Sequence, residues 1–164
     1  SHSTPGGSMK ELMEYREKLV ERLGEAAREF CETGTAFADP FIKVAGDWTV
    51  HQIASHTRDV QNHVYGLRIR QTASEENPTF ANFDADTWMA DNYKPEESFQ
   101  GILSEFSTNV NEVCDLLKAL SQEDWSRLSR HVSLGGDLTL QLWAERSLAH
   151  IEEHLKTLKT GLNS

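Results

Sequence analysis

The chain has 164 residues, enough for one domain with a real core and too few for two complete ones. Its 16 Lys and Arg against 26 Asp and Glu give a formal charge of −10 with no cationic run. It therefore lacks the footprint that releases counterions from phosphates, and no nucleic-acid partner is expected.

No apolar run is long enough to span a bilayer and none follows the N-terminus, so neither membrane attachment nor a secretory signal is expected and the location is read as cytoplasmic. Cys31 and Cys114 stand far apart without a nearby partner. They read as free, buried thiols in a reducing compartment rather than as a disulfide framework.

Residues 1–8, Ser-His-Ser-Thr-Pro-Gly-Gly-Ser, read as an expression remnant ahead of a start at Met9, so His2 is set aside. Residues 9–164 are expected to form a single domain. From Met9 to about Glu32 the apolar residues Leu12, Tyr15, Leu19, Leu23, Ala26, Ala27 and Phe30 recur at helical steps, with Thr33-Gly34 and Asp39-Pro40 as stop signals. A second helix opens at Thr49, with Gln52 as its capping-box partner and Trp48 and Ile53 placed as a hydrophobic staple. Its inward stripe reads Ile53, His56, Val60, His63/Val64 and Leu67, to about Gln71.

A polar stretch with Pro78 follows, and residues 84–93 suit a short helix or ordered loop. Pro95 is placed to open a third helix whose stripe runs Phe99, Ile102, Leu103, Phe106, Val110, Val113, Leu117 and Leu120. Ser121-Gln122-Glu123-Asp124 suits a capped turn with Trp125 packing back on the core. Gly135-Gly136 makes a turn, Thr139 caps a last helix to about Thr160, and Gly161 suits its C′ position. No convincing strand appears beyond a brief extended segment at 129–134. The fold class is all-α, a four-helix bundle with a longer link between the second and third helices.

The chemistry-bearing residues are histidines. In His150-Ile151-Glu152-Glu153-His154 two imidazoles lie four residues apart, on one helix face with about 5–6 Å between Cβ atoms. The pair differs from H-E-x-x-H because Glu152 and Glu153 are differently placed. His56 lies among Ile53, Val60 and Val64, where an unpaired imidazole is costly to bury. A facing helix could supply two more imidazoles, as bundle cores do for metals. Three separate structural histidines is the competing reading. His63 lies two turns beyond His56, about 10 Å along the axis, too far to join. His51 and His131 default to surface or hydrogen-bonding roles. Asp59 and Glu153 lie near the proposed ligands in sequence, but no motif fixes either as a base.

Several segments carry a resemblance to a known family. They are Trp48-Thr49-Val50 leading into Ala54-Ser55-His56, the link Asp84-Ala85-Asp86-Thr87-Trp88, the loop from His131 to Thr139, and Ala149 to Leu155. In this order and spacing they resemble the DinB-like (YfiT/DinB) superfamily of metal-dependent helical-bundle enzymes, across roughly Met9 to Leu162. The resemblance implies an up-down-down-up bundle, a homodimer, and His56, His150 and His154 as ligands of one divalent transition metal. It also implies activities from hydrolysis to thiol-dependent transfer and isomerisation with a small thiol cofactor. Many relatives carry a basic residue near the middle of the third helix, where this chain has Asn109-Val110-Asn111.

Three neutral imidazoles leave open positions on an ion, as catalytic sites do, and nitrogen ligands favour zinc or nickel over magnesium or calcium. The expected function is thus metal-dependent hydrolysis of a small-molecule substrate. The alternatives are a thiol-dependent S-transferase or isomerase and a non-catalytic metal-binding stress protein.

Overall fold

The computed structural model describes residues 5–164, with side chains from residue 8 onward. His2 lies outside the described residues. The first helix, α1, spans Pro5–Ala36, so it begins within the segment read as a remnant and runs past Thr33-Gly34. Gly34 fails as a stop because it serves packing: a Cβ there would stand 3.3 Å from Cζ of Phe99. Two short antiparallel strands follow, β1 (Lys43–Ala45) and β2 (Trp48–Thr49).

The second rod is continuous but not uniform. It comprises α2 (Val50–Val60), a π-helical turn (Gln61–Tyr65) and α3 (Gly66–Ser74). Both halves of the capping box form: Thr49 Oγ1 accepts from Gln52 N at 3.1 Å and Gln52 Oε1 accepts from Thr49 N at 2.8 Å. The π turn widens the helix by one residue and so rotates everything after it. Leu67, expected inward, is exposed; Gly66, Arg68, Ile69 and Thr72 take the buried face instead. His63, within the π turn, is exposed; it stacks on Phe83 and meets Trp88 at a tilt, both residues of the link.

The link contains β3 (Thr79–Phe80) and α4 (Ala85–Asn92), the latter capped by Asp84, whose carboxylate accepts from Thr87 N at 3.1 Å. The third rod, α5, spans Phe99–Ala119. It opens four residues after Pro95 because Ser98 supplies the cap, its hydroxyl accepting from Gly101 N at 3.1 Å. Trp125 sits in a 3₁₀ turn, Asp124–Ser126, and is buried as expected. The Gly135-Gly136 region forms more than a turn: β4 (Leu128–His131) and β5 (Gly135–Thr139) make a hairpin, and β3 pairs with β4 in parallel. The last rod, α6, spans Leu140–Leu162 and is capped by Thr139, as expected. Gly161 lies inside it rather than after it, because a Cβ there would meet Cγ1 of Val44 at 2.5 Å. Its small size admits β1.

Side-chain pairings fix the helix directions. Tyr15, Arg22 and Lys159 bond across α1 and α6 to Glu145, Glu152 and Glu29, each pair 130 residues apart, so these helices run parallel. Cys31 of α1 approaches Leu103 O while Cys114, later on α5, approaches Val20 O, so α5 runs against α1. Arg58, Gln61 and Arg70 meet Glu105, Asn109 and Glu112 in order, so the second rod is parallel to α5. The result is a four-helix bundle in up-down-down-up order. Its core gathers the predicted stripes: Leu23, Phe30, Ile102, Phe106, Val110 and Ile151, with the Phe30 and Phe106 rings 5.1 Å apart.

Candidate metal centre

The antiparallel contact between α2 and α6 brings His56 to His150 and His154. His150 Nε2 lies 3.3 Å from His56 Nε2 and 3.1 Å from His154 Nε2, and ligand nitrogens of all three fall within 4.8 Å of one another. These are the three histidines singled out from the sequence, and they could hold one metal ion. The helical spacing puts His150 and His154 on one face, and Gln61 keeps the opposing rod in register. Its Oε1 accepts from Ser147 Oγ at 2.8 Å and its Nε2 donates to Asn109 Oδ1 at 3.2 Å. A buried glutamine at a π turn, less than two turns past His56 and bonded through both its amide oxygen and its amide nitrogen, ties this rod to α5 and α6 together.

The environment keeps the imidazoles neutral. Burial, reinforced by His154 and His56, pushes His150 down to about 3. Burial and His56 push His154 down to about 4. Burial also lowers His56, opposed by the carboxylates of Asp59, Asp86 and Glu153. Three uncharged rings with converging nitrogens offer lone pairs at neutral pH. Protons on the same nitrogens could satisfy only some of the contacts, since two N–H groups cannot point at each other.

The donor set fits a divalent ion. Imidazoles bound at zinc-like lengths in a tetrahedron have nitrogens about 3.3 Å apart, close to the 3.3 and 3.1 Å found here. His56 and His154 open onto a cavity of about 300 Å³ whose walls include Trp48, Ile53, Asp86 and Thr157. Trp48 meets His56 edge-on at 6.0 Å, and Tyr65 lies 5.6 Å from His150. The staple residues of α2 thus also form the cavity wall.

The carboxylates divide clearly. Asp59, near the ligands in sequence, is consumed: Oδ1 accepts from Arg58 Nε at 2.9 Å and Oδ2 from Trp88 Nε1 at 3.0 Å. Glu153 is exposed on α6. Asp86 lines the cavity with an exposed carboxylate, a placement sequence reasoning missed; its only signal was membership of the Asp84–Trp88 segment. His51, expected on the surface or in a hydrogen bond, is buried and bonded to Tyr93 Oη at 2.7 Å and Glu97 O at 2.8 Å. His131 is also buried, at the end of β4, and accepts from Ser133 N and Leu134 N through Nδ1. Both thiols are free; Cys114 is buried, Cys31 only partly, and burial first of all raises each to about 11, which leaves them unreactive. No described helix is long and apolar enough to cross a membrane.

The sequence profile of the DinB superfamily matches residues 40–158. Among solved structures, the chain is similar to YfiT from Bacillus subtilis, described as a probable metal-dependent hydrolase with an unusual four-helix bundle topology. The TM-score is 0.77 with 18% identity, over 97% of this chain and 87% of that one, a likeness of fold. No curated protein sequence matches the chain.

Proposed function

That the chain belongs to the DinB superfamily is the premise from which we propose its function, that of a metal-dependent hydrolase acting on a small molecule through His56, His150 and His154. The observation that carries this reading is the triad of neutral imidazoles at the edge of a cavity with one uncommitted carboxylate on its wall. The description of YfiT as a probable metal-dependent hydrolase points the same way.

His56 from α2 and His150 and His154 from α6 would hold the ion, and nitrogen donors favour zinc or nickel. A divalent ion held there supplies Lewis acidity toward a carbonyl and lowers the pKa of water. The chain's own residues do the rest. Trp48 and Ile53 give the substrate an apolar wall, and the Trp48 edge fixes the plane of the His56 ring. Asp86, free of competing ion pairs among the described residues, accepts the proton of the attacking water. Asp59 instead holds Trp88, and with it α4, over the site. A protein of this kind needs no macromolecular partner for its chemistry; the homodimer implied by the family resemblance stands as a further part of the proposal.

The test has two readouts. Elemental analysis of protein lacking residues 1–8 should find near one equivalent of transition metal per chain. A panel of small esters and amides, run with and without a low-molecular-weight thiol, should show metal-dependent, thiol-independent turnover. Asp86→Asn should lower kcat by about 10²–10⁴-fold at unchanged metal content. Protein that takes up neither zinc nor nickel would sink the reading, and turnover that requires the thiol would replace hydrolysis by transfer.

A further inference from the structure

The seam between α1 and α5 holds a second cavity, of about 460 Å³, on the side of the bundle opposite the histidines of α2 and α6. That volume lies within the range that houses small-molecule ligands. Met13 and Val20 of α1 and Leu117 and Leu120 at the end of α5 give it an apolar wall, which Arg16 and Trp125 complete. Arg16 is only 5% exposed, yet all of its hydrogen bonds go to neutral groups. Its Nε donates to Gln141 Oε1 at 2.8 Å, and its Nη1 donates to Gln122 O at 3.1 Å and to Gln122 Oε1 at 2.9 Å. Arg22, Arg58 and Arg70 each meet a carboxylate instead. Glutamine carbonyls fix the plane of a guanidinium without neutralising it, so a full positive charge stays at the cavity wall.

Two N–H groups are left without an acceptor. Nη2 of Arg16 carries two hydrogens and donates to nothing among the described residues. Trp125 is 3% exposed, with its ring centroid 5.5 Å from the guanidinium carbon, and its Nε1 is likewise unbonded among the described residues. Trp88 and Trp143, by contrast, spend their indole N–H groups on Asp59 and Ser129. Neither spare donor is sealed off. Among the described residues only Thr72 Oγ1 is a fully enclosed side-chain polar atom without a partner, so Arg16 Nη2 and Trp125 Nε1 both reach open space. For two residues buried this deeply, that space is the cavity they both line. A strut tying α1 to the 3₁₀ turn and to α6 accounts for Nε and Nη1. It does not account for two further unbonded donors on one cavity wall.

We propose that this cavity is a binding site for a small carboxylic acid with an apolar body, its carboxylate accepting from Arg16 Nη2 and Trp125 Nε1. The body lies along Met13, Val20, Leu117 and Leu120, which a bare inorganic anion would leave facing water. A carboxylate held by a guanidinium makes charge-assisted bonds, stronger than those the glutamines provide. On the rim stand the exposed carboxylates of Glu17 and Glu21, and Lys118 offsets only one of them. A second acidic group on the ligand would be repelled there, so the ligand is a monoacid. The site shares no residue with the metal centre and stands independently of the hydrolase reading.

Hexanoate serves as the probe, with acetate and hexanamide as controls, and the readout is the Trp125 indole N–H signal in proton–nitrogen correlation spectra of the full chain. Trp125→Phe assigns that signal. Millimolar hexanoate should move it, whereas acetate, which lacks the body, and hexanamide, which lacks the charge, should each bind at least about tenfold more weakly. Met13→Glu, a change at an exposed residue of the wall, adds a carboxylate and should weaken hexanoate binding several-fold at an unchanged melting temperature. Arg16→Gln should abolish binding; if that variant does not fold, Met13→Glu and the hexanamide comparison decide. His154→Ala should bind hexanoate as the wild-type protein does. An unmoved Trp125 signal, equal binding of hexanoate and hexanamide, or binding untouched by Met13→Glu or by a folded Arg16→Gln would overturn the proposal. Binding lost in His154→Ala would place the acid at the metal centre and overturn it as well.

Discussion

At the residue scale, the histidines separate into proposed ligands and struts by what their nitrogens meet. His56, His150 and His154 point nitrogens at one another, whereas His51 spends both of its own on Tyr93 and Glu97. His154→Ala should therefore abolish or greatly weaken metal uptake while circular dichroism retains most of the helical signal, since two nitrogens hold a divalent ion poorly against water. His51→Ala should do the opposite. Metal content should be unchanged, but the loss of two buried hydrogen bonds and of stacking on Phe41 should cost about 2–4 kcal/mol, read as a lower denaturation midpoint. Equal metal loss in both variants would mean that the wrong histidines have been assigned. The two roles are hard to separate in sequence because both rings lie on the same helix, one turn and a half apart.

At the element scale, glycines report which helix contacts are tight. A Cβ on Gly66 would meet Gln61 O at 2.5 Å and Asn109 Oδ1 at 2.8 Å, both fixed by the π turn and its bonds. A Cβ on Gly24 would meet nothing nearer than Cys114 Sγ at 3.9 Å. Gly24→Ala should thus stabilise α1 by up to about 1 kcal/mol, the usual helix preference of alanine over glycine. Gly66→Ala should destabilise by about 1–3 kcal/mol and loosen the register between His56 and the α6 pair, weakening metal binding. Thermal melts and metal titrations of the two variants check this contrast. If Gly66→Ala is as harmless as Gly24→Ala, the π turn is not what sets the rod's register.

For the whole molecule, the buried triad couples acidity to stability. In metal-free protein His150 stays neutral down to about 3 and His154 down to about 4, while the unfolded chain takes up those protons near pH 6.5. Between these values the unfolded state binds more protons, so stability falls as pH drops below about 6.5 and levels off near 3–4. Urea midpoints of stripped protein should fall across that window, and His154→Gln should flatten the slope. Bound metal should raise the melting temperature, because it ties the second rod to α6. Exposed Phe41, Ile42 and Trp48 near the cavity form an apolar patch that suits the proposed homodimer. Sedimentation at micromolar concentration should then give twice the chain mass; a monomer throughout would reject it.

The sequence by itself determined what depends on short-range chemistry. Apolar steps of three and four set all four rods, Thr49 with Gln52 and Thr139 set two helix starts, and the i,i+4 spacing set His150 beside His154. That His56 would join them was legible because an imidazole on an apolar stripe needs a partner. What only the tertiary structure decided depends on contacts between distant segments. At the π turn Gln61 bonds to Ser147 and Asn109 on two other helices, and beyond it Leu67 faces outward and Arg68 inward. Gly34 and Gly161 read as stops because glycine ends helices locally, yet here each lies within a helix where Phe99 or Val44 presses close. The short strands carry too few residues to show a period of two; pairing across the link and the hairpin makes them. Asp86 reached the cavity, and Asp59 was withdrawn from it, through a hydrogen bond to Trp88 across a link that helical periodicity does not constrain.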